Sequence, residues 1–419
     1  MLLEAPVAWF SLPLTLALFA SSACGGSVES AKGDAGDAGP GSAADAFAAG
    51  SDAAPDVEEQ PEASPGLLAV PLFSCDGTGY TVGATIGGTQ QFQLLLDTGS
   101  TTLGVAGSTC SSCDVSPKYT PGATAVDQHH TAESQYDEGS WSGEIYEDSV
   151  VLGSAAPTQV EFASIQSQSM FLNPIQRDSK SGGVQGVVGF GPADAAVPGT
   201  NGYFDQLVGT AGLPNVFATE LCDTGGTLWL GGYDPSFTTA APQYVPLLTD
   251  MFSQFYYSVN LTSITVNGTT VPIASGQFTD SVVDTGTSVF LLGTTSFDAL
   301  TAAIAKSPQF QSMVGGASWF AEGCQQSTAF SATKAALDAA LPALTLTFSS
   351  GATVQALPTE SYLVAVESDV WCPALGSQAQ SFQSFPFASI LGAAVLRSSV
   401  VVFDRAKSRV GFAPHTACP

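Results

Sequence analysis

Positive charge is what this chain has least of. Across 419 residues, 10 Lys and Arg stand against 37 Asp and Glu, a net charge of −27. Proteins that bind nucleic acid neutralise phosphates with clustered bases, so that class is excluded; docking on an anionic membrane surface is excluded for the same reason. Histidine is scarcer still, with only His129, His130 and His415. A Ser-His-Asp relay would need one of them placed by the fold, and no G-x-S-x-G elbow accompanies them, since "GSWSG" at Gly139 carries Trp141 at its centre. The adjacent His129 and His130 lack metal-ligand spacing and read as part of a solvated loop, and neither a metal nor another cofactor is expected. Beyond the amino terminus no run is long and apolar enough to span a membrane. In acid the carboxylates lose their charge, and self-repulsion then rests on few cations, so the chain is expected to tolerate low pH. A general acidic bias that serves solubility explains the same composition equally well.

What is present divides the chain into four parts. Residues 1–23 read as an export signal, apolar from Val7 to Ala23 and ending in small residues, although Glu4 stands where a base is usual. Cys24, preceded by "SSA" and followed by two glycines, is a candidate lipid-attachment site, with Ser21 in place of the usual leucine. Residues 24–66 are rich in Ala, Gly, Ser, Asp and Pro, and nine acids there face one base, Lys32. So little apolar surface predicts a disordered acidic tether. Residues 67–244 and 245–419 are expected to form two lobes.

From Leu67 onward the texture is all-β: short runs of Val, Ile, Thr, Phe and Tyr are punctuated by Gly, Pro, Asn and Ser. "YTVGATIGG", "EIYEDSVVLG", "GTLWLGGYD", "ALTLTFSSGATVQAL" and "SVVVFDRAKSRVGFAP" predict strands or hairpins, and Asn267-Gly268 predicts a tight hairpin turn. Helical patterns are few, near Gly202–Leu207, Thr295–Ala305 and Ala332–Leu341. The lobes repeat one another. An apolar strand ends in Asp97-Thr98-Gly99 and is followed later by "GVVGFG" at Gly186. A second ends in Asp284-Thr285-Gly286 and is followed by "SILGAA" at Ser389. The two aspartates lie 187 positions apart. Two copies predict lobes related by a pseudo-two-fold axis.

An aspartate that closes an apolar strand costs free energy unless it is paired or hydrogen-bonded. One such residue reads as structural; one per repeat, brought face to face by a two-fold axis, reads as chemistry. Facing carboxylates share a single proton, so the pair offers a base to a water molecule and an acid to a carbonyl oxygen. The reaction that follows is amide hydrolysis without a metal or a covalent intermediate. "CSSC" at Cys110–Cys113 is read as a local disulfide, because no βαβ context surrounds it.

These motifs resemble the pepsin-like aspartic protease family over nearly all of Leu67–Pro419. The likeness lies in "DTGS" at Asp97, "DTGTS" at Asp284, "SQYDEGSWSGEIYEDSVVLG", "GTLWLGGYDPSFTTAAPQYVPL", "FYYSVNLTSITVNG" and "SILGAAVLRSSVVVFDRAKSRVGFAP". The resemblance implies a bilobal β fold with a few short helices, and a monomeric endopeptidase that binds polypeptides as extended strands in the cleft. Asp97 and Asp284 would hold the nucleophilic water. Thr98 and Thr285 would brace their loops across the axis, Ser100 and Thr287 would hydrogen-bond the outer carboxylate oxygens, and Gly99 and Gly286 would leave room for substrate. Tyr136, Asp137, Glu138 and Gly139 would form the tip of a substrate-covering flap. An acidic tip at Glu138 would let the enzyme accept Lys beside the scissile bond. It also implies disulfides Cys110–Cys113 and Cys324–Cys372, leaving the pairing among Cys75, Cys222 and Cys418 open.

Four departures accompany the likeness. Gly104 stands where the family often has a tryptophan bonded to the flap tyrosine, which leaves either a looser flap or compensation by Trp141. Gln185 and Ala393 replace usual acids, and the basic zymogen pro-segment has no counterpart. The competing reading is a catalytically silent, inhibitor-like surface protein of the same family; the intact D-T-G pair weighs against it.

Overall fold

The computed structural model describes residues 66–74, 77–137, 139–172, 183–250, 253–274, 276–326, 333–367, 370–380, 387–416 and 418. The signal segment, Cys24, nearly all of the tether, Cys75 and Glu138 lie outside the described residues.

The chain is mostly β with a few short helices. Alternating side chains explain why. In Thr81–Ile86 every second residue (Val82, Ala84, Ile86) is buried while its neighbours are half-exposed, the period-2 pattern of a strand with one face on a core. Thirteen strands join in one long sheet, and smaller sheets of five, four and three strands complete the fold. Asn267 and Gly268 both take positive φ, 45° and 75°, and turn Leu261–Val266 back into Thr269–Thr270. Asn and Gly tolerate that left-handed backbone.

The sequence repeat is a topological repeat. Gln90–Asp97 runs parallel to Gly186–Gly189, which pairs antiparallel with Gly104–Ala106, which in turn runs parallel to Thr158–Ser169. In the second half Ser281–Val283 runs parallel to Ser389–Leu391, which pairs antiparallel with Phe290–Leu292, itself parallel to Leu375–Ser377. Each aspartate emerges where its strand leaves this three-way junction. Behind the junctions the halves share one sheet, because Ser399–Asp404 pairs with Val216–Cys222. The Phe217 and Phe403 rings stack there, 4.5 Å apart and 11° from parallel.

Helices form at Tyr203–Ala211, Thr294–Ile304 and Lys334–Ala340, close to the expected positions. Three shorter ones were not expected: Pro308–Met313, Trp319–Glu322 and Ala393–Leu396. All four residues of Ala393–Leu396 are buried, and a helix buried on every side has no amphipathic signal to read. His129 and His130 correct the loop expectation. They sit in the long strand Val126–Tyr136, at a bulge where His129 takes φ 58°, and both remain exposed. Disulfides close Cys110–Cys113 and Cys324–Cys372, and a third joins Cys222 to Cys418. Among the described residues no helix is long and apolar enough to cross a membrane.

Candidate active site

Asp97 and Asp284 are brought together, only 5% and 9% exposed. Each carboxylate is held by its own loop. Asp97 Oδ1 accepts the Gly99 amide at 2.8 Å and its Oδ2 accepts the Ser100 hydroxyl. Asp284 Oδ1 accepts the Gly286 amide at 2.8 Å and its Oδ2 the Thr287 hydroxyl at 2.6 Å. The match between halves is therefore atomic as well as topological. A side chain on either glycine would strike the opposite carboxylate: a Cβ on Gly99 would lie 2.7 Å from Asp284 Cγ, and one on Gly286 would lie 2.8 Å from Asp97 Cγ. Glycine is required at both positions for close approach.

The threonines lock the loops across the axis. Thr98 N–H donates to Thr285 Oγ1 at 3.1 Å, and Thr285 N–H donates to Thr98 Oγ1 at 3.0 Å. Each hydroxyl then donates to a carbonyl of the other half, Thr98 to Val283 at 3.1 Å and Thr285 to Leu96 at 2.8 Å. Both threonines are fully buried, so every polar atom there depends on this reciprocal network.

Burial pushes the Asp97 carboxyl far above the usual carboxylate range; the facing Asp284 charge and a hydrogen bond with Asp284 add to it, while Ser100 and Gly99 oppose it. Such burial beside a second carboxylate favours the protonated form of Asp97. The arrangement can take a proton from water on one side and give one to a carbonyl on the other.

The hairpin expected to act as a flap is Val126–Tyr136 paired with Gly139–Leu152. Tyr136 packs its ring on Phe171 at 4.7 Å. Burial and the Asp97 charge raise the pKa of its hydroxyl, while hydrogen bonding with Ser100, Trp141 and Ser134 works against that rise. Trp141 is buried, and a Cβ on Gly104 would lie 3.6 Å from its indole ring. The hairpin's own tryptophan and Ile165 thus pack against Gly104, and the tryptophan meets the tyrosine from within the hairpin. Gly139 abuts the backbone of Ser169 and Phe171, where a Cβ would sit 2.6 Å from the Ser169 carbonyl oxygen. Asp137 is described and Glu138 is not.

Gln185 is buried in place of an acid. It accepts the Gln93 amide at 2.7 Å and donates to the Ser116 carbonyl at 3.0 Å. Sequence reasoning missed Tyr256, whose pKa is raised first by burial and then by the charges of Asp284 and Asp97. Its ring meets Phe387 edge-on at 4.7 Å. The run Phe255-Tyr256-Tyr257 opens "FYYSVNLTSITVNG", which reads as a strand and as part of the family likeness and gives Tyr256 no role of its own.

Fold and site together define a β protein of two matched halves whose paired aspartates face one another. The family model described as eukaryotic aspartyl protease matches residues 79–415, and the chain belongs to that family. An aspartic protease of Phaffia rhodozyma is 30% identical over 343 residues, covering 80% of this chain and 76% of that protein. A beta-secretase of Strongylocentrotus purpuratus is 28% identical over 381 residues, covering 82% and 67%. Pepsin A of Callithrix jacchus is 26% identical over 343 residues, covering 78% of each chain.

Proposed function

We propose that this chain is an exported endopeptidase that hydrolyses peptide bonds of proteins in acid. The observation that carries the reading is the pair of buried, facing aspartates, each held by a glycine amide and a hydroxyl. In this mechanism a water between Asp97 and Asp284 gives a proton to the ionised carboxylate while its oxygen attacks the scissile carbonyl carbon. The protonated carboxyl gives its proton to the carbonyl oxygen, forming a gem-diol. As the gem-diol collapses, the C–N bond breaks, the amine nitrogen takes up the proton held by the dyad, and a gem-diol hydroxyl returns its own proton to the dyad, leaving a carboxylic acid, a free amine and a singly protonated dyad. Thr98 and Thr285 keep the carboxylates in register, and Ser100 and Thr287 orient their outer oxygens. Tyr136 closes over a substrate bound as an extended strand, with Asp137, Glu138 and Gly139 at the flap tip.

The same proposal divides the protease into lobes at 67–244 and 245–419. It places the protein outside the cytoplasm as a monomer, released or held by lipid on Cys24 through the acidic tether. Three disulfides among the described residues support an oxidising compartment. The test is hydrolysis of a denatured protein at about pH 3 to 5, with and without a statine-type transition-state analogue. Hydrolysis that the analogue abolishes supports the reading. Well-folded protein without activity at any pH would instead support the silent, inhibitor-like alternative.

A further inference from the structure

Glu220 is a buried acid that the dyad does not use. It lies on Val216–Cys222, the strand through which the two halves share a sheet, and is 2% exposed. Its Oε1 has no hydrogen-bond partner among the described residues. A carboxylate in that position is costly when ionised and tolerable when protonated or faced by a cation. Its neighbours are the sulfurs of the Cys222–Cys418 disulfide, both within 4.8 Å of a carboxylate oxygen. Disulfide sulfurs carry no charge and offer no thiolate to a metal, so they neither neutralise Glu220 nor make a metal site with it.

The cation is His415. The carboxyl-terminal tail passes over the sheet, with His415 bridged to Thr238 and the Thr416 amide donating to the Phe237 carbonyl at 2.9 Å. His415 Nε2 lies 3.9 Å from Glu360 Oε1, and the two side chains are only 14% and 21% exposed. Its Nδ1 lies 3.9 Å from Cys418 Sγ. Glu220 comes from the first half, and Glu360 and His415 from the second. We propose that Glu220, His415 and Glu360 form an acid-strengthened clasp that holds the carboxyl-terminal tail and the second half against the shared sheet, and that the clasp loosens as the solution nears neutrality.

Both titrations act in one direction. Glu360, 3.9 Å from the imidazole, is the main cause raising His415 above its ordinary value of 6.5, against burial, with the Glu220 charge adding to it. A raised histidine stabilises fully below its unfolded value, and that stability is lost as pH rises through the folded value. Burial raises Glu220, with the His415 charge opposing. A raised carboxyl likewise stabilises below its unfolded value and loses that stability as pH rises. The other groups nearby do not reverse the sign. Asp338 faces the helix that carries Glu360, accepts the Thr359 amide and hydroxyl at 2.8 and 2.7 Å, and is itself raised by burial. Arg397 donates to the Thr359 carbonyl at 2.7 Å and to Asp223 at 3.0 Å, so its charge is committed there.

The readout is the disulfide inside the clasp. The full-length protein is treated with a water-soluble phosphine between about pH 5 and pH 8, and reduction of Cys222–Cys418 is followed by alkylation and peptide mass spectrometry against Cys110–Cys113 as internal reference. In the wild type the ratio of the two rates should rise roughly tenfold or more across that range. His415→Gln should raise the ratio on the acid side, and Glu220→Gln should hold it low near neutrality, each flattening the profile. A ratio that does not change with pH in the wild type, or parallel profiles in wild type and both variants, overturns the clasp. Turnover does not enter this readout, so the clasp and the peptidase reading fail separately.

Discussion

At the scale of single residues, the centre depends on donors aimed at two carboxylates. Replacing Asp97 or Asp284 by Asn keeps the shape but removes either the base or the shared proton. Each variant should lose about a thousandfold or more in kcat/KM while melting at nearly the wild-type temperature in acid. Trp141→Phe keeps the packing against Gly104 and removes the indole N–H beside Tyr136. The loss should be about tenfold in kcat/KM, the size of one hydrogen bond realised on closure, with the acid melting temperature little changed; equal kinetics would show that the indole N–H does not position the tyrosine. Asp97, Asp284 and their D-T-G loops were legible because a charge at the end of an apolar strand demands a reason and the demand was made twice. Tyr256 and Glu220 were not legible. An aromatic beside a strand reads like any core aromatic, and Glu220 in "FATELC" gives no sign of which face of its strand is sealed.

At the scale of elements, the strand-to-loop junctions were readable through their repetition, and the Asn267-Gly268 turn through its backbone chemistry. The helix Ala393–Leu396 was not, since four buried apolar residues carry no period. Cysteine pairing was readable for the adjacent Cys110 and Cys113 and, through the family resemblance, for Cys324 and Cys372. Cys222 and Cys418 are 196 positions apart, and only the return of the last strands to the shared sheet brings them together. A cross-link over so long a loop restrains the unfolded chain strongly. Replacing both cysteines by Ala should lower unfolding stability by about 2–5 kcal/mol, measured by denaturant titration in acid. A change below about 0.5 kcal/mol would show that the tail is held by other contacts.

At the scale of the molecule, scarce positive charge is spent on joining the halves. Arg397 and Lys334 converge on Asp223 at 3.0 and 2.6 Å, and Arg405 meets Asp205 at 2.5 Å, each bond crossing from the second half to the first. The titrating groups add a common trend. Asp97, Glu220, Asp280 and Asp338 are all raised with burial as the leading cause, and His415 is raised mainly by the neighbouring Glu360 carboxylate. A raised carboxyl stabilises the fold below its unfolded value and stops doing so above its folded value, and the raised histidine behaves alike. Stability should therefore fall steadily from about pH 5 to pH 8, read as a declining melting temperature. A melting temperature that climbs over that range would contradict the assignment of these groups. Composition hinted at acid tolerance but could not separate it from a solubility bias; the positions of five buried or half-buried groups decide the sign.

The claim at the centre is that two aspartates share one working proton. The most direct test is the pH dependence of kcat/KM on a peptide substrate for the wild type, with Asp97→Asn and Asp284→Asn alongside. The prediction is a bell: a rise as one carboxyl ionises, a fall as the remaining proton leaves, and the roughly thousandfold or greater loss in either variant. A rate that climbs through neutrality without a descending limb, or a variant whose kcat/KM stays within about a hundredfold of the wild type, would contradict it.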